Sequence, residues 1–224
     1  MNVLSGLWWR LRSVRWLAPA WGRVHGAGLT LDALVGGGFV AIDLETTGLD
    51  PRRDVMVALA AVPFVGGARG VGLVTLVAPG RPIPPASTAI HGITDAMVAR
   101  APAPPSALDA LVVRCAGRVV VGHGVDFDLA VLARALRAQG RPPLAGVVLD
   151  TRRLAAALFP GWPDFSLDAV AARLGVRIVA RHTAEGDAVA AGEVLLALLA
   201  ECRGRGLTTL GEIVWLHDGH PPER

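Results

Sequence analysis

Hydrophobic residues recur along this chain with two periods, and the switch between them marks out its elements. Residues 38–45, 54–64, 71–77 and 118–122 are short apolar runs rich in Val, Ile, Leu and Phe and bounded by Gly, Pro or Asp, which is how strands read. A run at 146–150 reads the same way, and 176–180 alternates Val176 and Ile178 with Arg177, suggesting a short strand. Between these, apolar positions return every three or four residues over 94–99, 105–115, 126–138, 151–158, 166–174 and 183–202, the spacing of helices with one buried face. The stretch 207–216 reads as a short final helix, and the Pro-rich segments 81–85 and 101–105 read as loops rather than domain linkers. Three strands in succession followed by alternating helix and strand predict an α/β fold, a mixed β-sheet flanked by helices on both faces.

Composition changes this picture little. With 224 residues, 52% of them hydrophobic, the chain can bury one domain with an extension, and disorder is excluded as its main state. All 22 basic residues are Arg, a bias that, beside the many Ala, Gly and Pro, reads as coding composition. A net charge of +3 is a modest argument for a nucleic-acid partner, even at a sequence pI near 10.0. The pairs Arg52-Arg53 and Arg152-Arg153 read as solvated surface. Cys115 and Cys202 lack metal-ligand spacing, so two buried thiols in a reducing cytoplasm are expected. No uninterrupted apolar stretch is long enough for a transmembrane span. Three segments follow: an N-terminal Trp/Arg-rich extension at 1–36, a main domain at 37–202 and a tail at 203–224. In the extension, residues 1–17 allow an amphipathic helix, expected to pack on its own domain; Arg10, Arg12 and Arg15 break the apolar core a secretory signal needs.

The candidate chemistry lies in three motifs. Asp43-Leu44-Glu45 sits at the end of the first strand, where alternation puts both carboxylates on one face. Two acids side by side on an apolar strand repel each other and are costly to desolvate, a cost that a divalent cation would remove. In the second motif, His123-Gly-Val-Asp-Phe-Asp128, a strand passes through a Gly turn into a helix; Asp126 reads as its N-cap and Asp128 falls in its first turn. In the third, His182-Thr-Ala-Glu-Gly-Asp187, five residues at 100° would set the two side chains apart on one helix. The spacing therefore favours His182 on the preceding loop and Asp187 in the first turns, both facing one cleft. Each motif alone also fits an ordinary strand end or helix start; only their combination favours a metal site.

Together these motifs resemble those of the DEDDh 3′–5′ exonucleases, a family that includes the proofreading ε subunit of bacterial DNA polymerase III, RNase T and oligoribonuclease. Asp43-Leu-Glu45-Thr-Thr-Gly-Leu49, His123-Gly-Val-Asp-Phe-Asp128 and His182-Thr-Ala-Glu-Gly-Asp187 carry the resemblance, supported by Ile90-His-Gly-Ile-Thr94, Leu149-Asp-Thr151, Ser166-Leu-Asp168 and Leu174-Gly-Val176. The resemblance spans about residues 37–200 and implies an RNase H-like fold with an exonuclease domain at 37–202. It further implies two ions, Mg2+ or Mn2+, held by Asp43, Glu45, Asp128 and Asp187, with His182 as general base. Asp43 would bridge both ions, Glu45 and Asp187 would hold the nucleophile-side ion, and Asp128 would complete the site in part through water. Thr46, Thr47, Leu49 and His91 would touch the terminal nucleotide, Leu49 as a wedge against the last base. One position departs from the family: Gly124 stands where Asn is usual. The implied activity is release of nucleoside monophosphates from single-stranded DNA 3′ ends in proofreading or repair, alone or beside a DNA polymerase or repair complex. RNA trimming is the alternative within the class, and a non-catalytic nucleic-acid or polymerase-binding module the alternative outside it.

Overall fold

The computed structural model describes residues 28–219. Its six strands are β1 (Phe39–Thr46), β2 (Met56–Val65), β3 (Ala68–Arg69), β4 (Leu73–Leu76), β5 (Val119–Gly122) and β6 (Val148–Asp150). The order is β3-β2-β1-β5-β6, with β4 also paired to β2. Strands β1, β5 and β6 run parallel, whereas β2 is antiparallel to β1, β3 and β4, so the sheet is mixed as expected.

Alternation along β1 decides which helices cover which face. Phe39 and Ala41 point into one core with α1 (Leu31–Gly37), α6 (Thr151–Leu158), α7 (Leu167–Leu174), α8 (Ala184–Gly204) and α9 (Leu210–His217). Val40, Ile42 and Leu44 point into the other, against α4 (Pro104–Cys115) and α5 (Asp126–Arg137). Two apolar faces on one central strand require two helical layers. Leu31 and Leu34 of α1 and Leu210, Ile213 and Leu216 of α9 belong to the first core, so both flanking segments pack with the main domain. They also pair with each other: the Leu31 N–H donates to the Thr208 carbonyl at 2.8 Å and the Leu210 N–H to the Leu29 carbonyl at 2.7 Å. The amphipathic helix expected within residues 1–17 lies outside the described residues.

Two local expectations fail. Residues 176–180 form no strand: Val176 and Ile178 pack on the core while Val179 is exposed, so their period of two records one-sided packing without sheet pairing. Neither Pro-rich segment is all loop: in 81–85 Pro85 opens α2 (Pro85–His91), which ends at left-handed Gly92 (φ 72°), and in 101–105 Pro104 opens α4. Proline suits a first helical turn, where its missing N–H would have no partner. The short α3 (Asp95–Val98) falls where it was expected.

Candidate active site

The parallel strands β1, β5 and β6 all point their carboxyl ends to one edge of the sheet, the place where open α/β sheets form clefts. A cleft of about 230 Å³ opens there, lined by Asp43, His123, Gly124, Arg152, Phe165, Arg181 and Asp187 among others. Asp43 and Glu45 share the face of β1 that meets α8, and the β1–β2 register shifts just after them, between Glu45 and Thr46. Asp187 follows N-cap Thr183 in the first turn of α8, whose Oγ1 accepts from the Gly186 N–H at 3.1 Å. His182 lies before that cap on the exposed loop. Helix packing thus brings the strand acids to the helix acid: one carboxylate oxygen from each of Asp43, Glu45 and Asp187 lies within 4.8 Å of the others.

Asp128, expected as the fourth ligand, stands just outside this trio. It is buried in the first turn of α5, and among neighbouring charges it raises Asp43 most. Burial pushes Asp128 up to about 8, with the Leu44 and Asp128 backbone amides pulling the other way. Burial also raises Asp43 well above its ordinary range, helped by Asp128, Asp187 and Glu45. Glu45 is pushed up to about 7 by burial and then by Asp187, and Asp187 is raised by burial. Arg181 opposes the rise in Asp43, Glu45 and Asp187 alike, and one of its nitrogens donates to Asp187 Oδ2. Asp187 Oδ1 is buried without a hydrogen-bond partner. Crowded, desolvated oxygen donors with an orphan lone pair fit a hard divalent cation.

The second motif is built differently from its expected form. Asp126 is not the N-cap of α5; Val125 holds that position without a side-chain bond, and Asp126 pairs with Arg153. The cap comes from β6, where Asp150 accepts the Gly124 N–H at 2.8 Å and the Val125 N–H at 3.2 Å. Asp150 also caps α6 through the Arg152 N–H, while His217 of α9 accepts the Asp150 N–H at 3.0 Å. Sequence reading placed Asp150 only in a supporting motif and missed this hub, although an Asp between a strand and a helix is itself a cap signal. Gly124 has φ +69°, a left-handed conformation that Gly adopts freely and Asn tolerates, so its exchange for the usual Asn is backbone-compatible. His123 is held at both nitrogens, 2.9 Å from Thr151 Oγ1 and 2.9 Å from the Phe165 carbonyl.

The residues expected at the terminal nucleotide divide into two kinds. Thr46 and Thr47 are buried, and their hydroxyls hold the turn: Thr46 donates to the Gly48 carbonyl at 2.6 Å and Thr47 to Asp54 at 2.9 Å. Leu49 projects from that turn with 77% of its surface exposed. His91 ends α2; its Nδ1 accepts the Ile93 N–H at 3.0 Å and its buried Nε2 has no partner.

A family model described as Exonuclease (RNase T) matches residues 40–195, which carry all three motifs. The chain belongs to this exonuclease family. The DNA polymerase III subunit epsilon-like protein of Rhodobacter capsulatus is 48% identical over 181 residues, covering 79% of this chain but only 26% of that protein. The DNA polymerase III subunit epsilon of Aquifex aeolicus is 33% identical over 170 residues, covering 76% of this chain and 84% of its own length. Among solved structures, Exonuclease X in complex with 5′ overhanging duplex DNA is 28% identical with a TM-score of 0.61, over 78% of this chain and 98% of that one. The exonuclease domain therefore has the expected RNase H-like fold, and the acidic cluster lies within its matched region.

Proposed function

We propose that this exonuclease removes nucleotides one at a time from the 3′ ends of single-stranded DNA, releasing nucleoside monophosphates. The observation that carries this reading is the approach of Asp43, Glu45 and Asp187 within 4.8 Å beside the unpartnered Asp187 Oδ1. These residues, completed by Asp128, would hold two divalent cations, Mg2+ or Mn2+, given an all-oxygen donor set. Such ions would supply Lewis acidity for the attacking water and for the charge on the phosphoryl oxygens. His182, exposed on the loop beside Asp187, accepts the proton of the attacking water as the new P–O bond forms. The bond from phosphorus to the 3′ oxygen of the preceding nucleotide then breaks, and that oxygen takes a proton from solvent. Exposed Leu49 meets the terminal base, and the backbone at Thr46 and Thr47 together with His91 meets the rest of the terminal nucleotide.

The choice of DNA is supported by the named functions of the relatives: polymerase III subunits, and an exonuclease bound to overhanging duplex DNA. The polymerase III names support work beside a DNA polymerase; a repair complex and the cytoplasm belong to the same proposal. Among the described residues no helix is long and apolar enough to cross a membrane. Purified protein with Mg2+ and a 5′-labelled single strand should give a ladder shortened from the 3′ end. Absence of product, or product unchanged by Asp43→Ala, refutes the reading. Preferential digestion of a matched RNA strand would transfer it to RNA trimming, because 2′-OH discrimination is set by pocket contacts.

A further inference from the structure

The loop that presents His182 carries a cation of its own. Arg181 Nε donates to both carboxylate oxygens of Asp168, at 3.1 and 3.0 Å, while Nη1 donates to Asp187 Oδ2. The same Nη1 stands 3.3 Å from His182 Nδ1. A guanidinium only donates, so in this contact Nδ1 is the acceptor and its lone pair, the one a general base would need, is occupied by Arg181. One side chain thus spans an exposed acid, a buried acid and the imidazole. Its position is held by unusual backbone: Ala180 (φ 57°) and His182 (φ 60°), on either side of it, are the two left-handed non-glycine residues among those described. Such strain persists where surrounding contacts over-determine it, and it collects at functional sites.

We propose that Arg181 is a resident counter-ion of the metal site, displaced from Asp187 onto Asp168 when a divalent cation binds, freeing the His182 Nδ1 lone pair in the same movement. This rests on the cation site proposed above at Asp43, Glu45 and Asp187. Asp187 has one oxygen paired to Arg181 and one without a partner, so an arriving cation meets half of a carboxylate already neutralised. Two positive charges on one buried carboxylate repel, and the mobile one yields. Asp168 is well exposed and already bonded to Nε, so it provides a hydrated pivot that keeps the guanidinium near the cleft, where a substrate phosphate can replace Asp187 as its partner. In the absence of cation, Arg181 keeps the acids from unbalanced repulsion; in its presence, Arg181 becomes a positioning residue.

Calorimetric titration with Mn2+ alone, without nucleic acid, tests this. Arg181→Gln should bind Mn2+ about tenfold more tightly than wild type, the scale of an ordinary coupling between two ligands of one site. Arg181→Lys keeps the charge without the two-sided fork and should stay near wild type. Arg152→Gln removes the same charge from the same cleft, where no bond to Asp187 exists, and should change affinity little. Asp168→Asn should weaken Mn2+ binding by removing the negative charge that receives the displaced guanidinium, and that weakening should vanish in the Arg181→Gln background. Equal affinity of wild type and Arg181→Gln overturns the counter-ion role while leaving the cation site intact. An equal gain from Arg152→Gln, or an Asp168→Asn effect that persists without Arg181, also overturns it. A wild-type protein that binds no Mn2+ removes the cation site itself, and this proposal with it.

Discussion

Replacing Gly186 by Ala adds one methyl group in the first turn of α8, one residue before Asp187. Ordinary helix energetics favour the change, since Ala is preferred over Gly by about 1 kcal/mol in a helix. The structure opposes it, because a Cβ at this position would lie 2.1 Å from the Ala180 carbonyl oxygen and 2.5 Å from that of Val179. Both obstacles are backbone, so no rotamer change removes them. Carbon–oxygen contacts settle near roughly 3.3 Å, and the 179–180 segment must therefore retreat by about 1 Å. That segment runs directly into Arg181 and His182. Overpacking costs about 1–3 kcal/mol, so after the helical gain the net loss of stability should be about 0–2 kcal/mol. If His182 is the base proposed above, a 1 Å displacement of it costs about 100-fold in rate. Gly186→Ala should thus lower kcat about 100-fold while Tm falls only a few degrees, measured by mononucleotide release at saturating substrate and by thermal unfolding. Gly192→Ala provides the contrast: its methyl would meet the Phe64 ring at 2.2 Å inside the core, so stability should fall with a smaller loss of kcat. Full kcat in Gly186→Ala, or identical activity and stability profiles for the two variants, would overturn this account of the 179–182 loop.

Three further outcomes follow from the site. Glu45 is raised from 4.5 to about 7, so between those values the folded state binds more protons than the unfolded state; cation-free stability should fall as pH rises through that window. Mn2+ binds the ionised form and should therefore raise Tm more at pH 8 than at pH 5.5; an equal rise at both would contradict the assignment. His217→Ala should cost about 1–3 kcal/mol in denaturant unfolding, because the buried Asp150 N–H loses its acceptor; His217→Gln should recover part of this, and an unchanged midpoint in the Ala variant would exclude the role. Leu49→Ala should leave Tm within about 1 °C, since the side chain is 77% exposed, yet raise KM for single strands; unchanged kinetics would remove Leu49 from the nucleotide site.

Features that depend on near neighbours were legible in the sequence. A period of two along β1 put Asp43 and Glu45 on one face, and the helix beginning after Thr183 left His182 on a loop with Asp187 in the first turn. These are consequences of backbone repeat and capping, readable within a few residues, and the motif order sufficed to indicate the exonuclease family. Tertiary structure decided what depends on contacts across the chain. Only packing of α8 on β1 brought Asp187 to the strand acids, placed Asp128 on the other layer just outside them and set Arg181 against Asp187. The cap of α5 came from Asp150 on β6, not from Asp126, because a well-placed carboxylate on the adjacent strand reaches two amides at once. Residues 176–180 show the same limit from the other side: an alternating pattern becomes a strand only where a neighbouring strand offers hydrogen bonds, and here a core surface alone stands beside it.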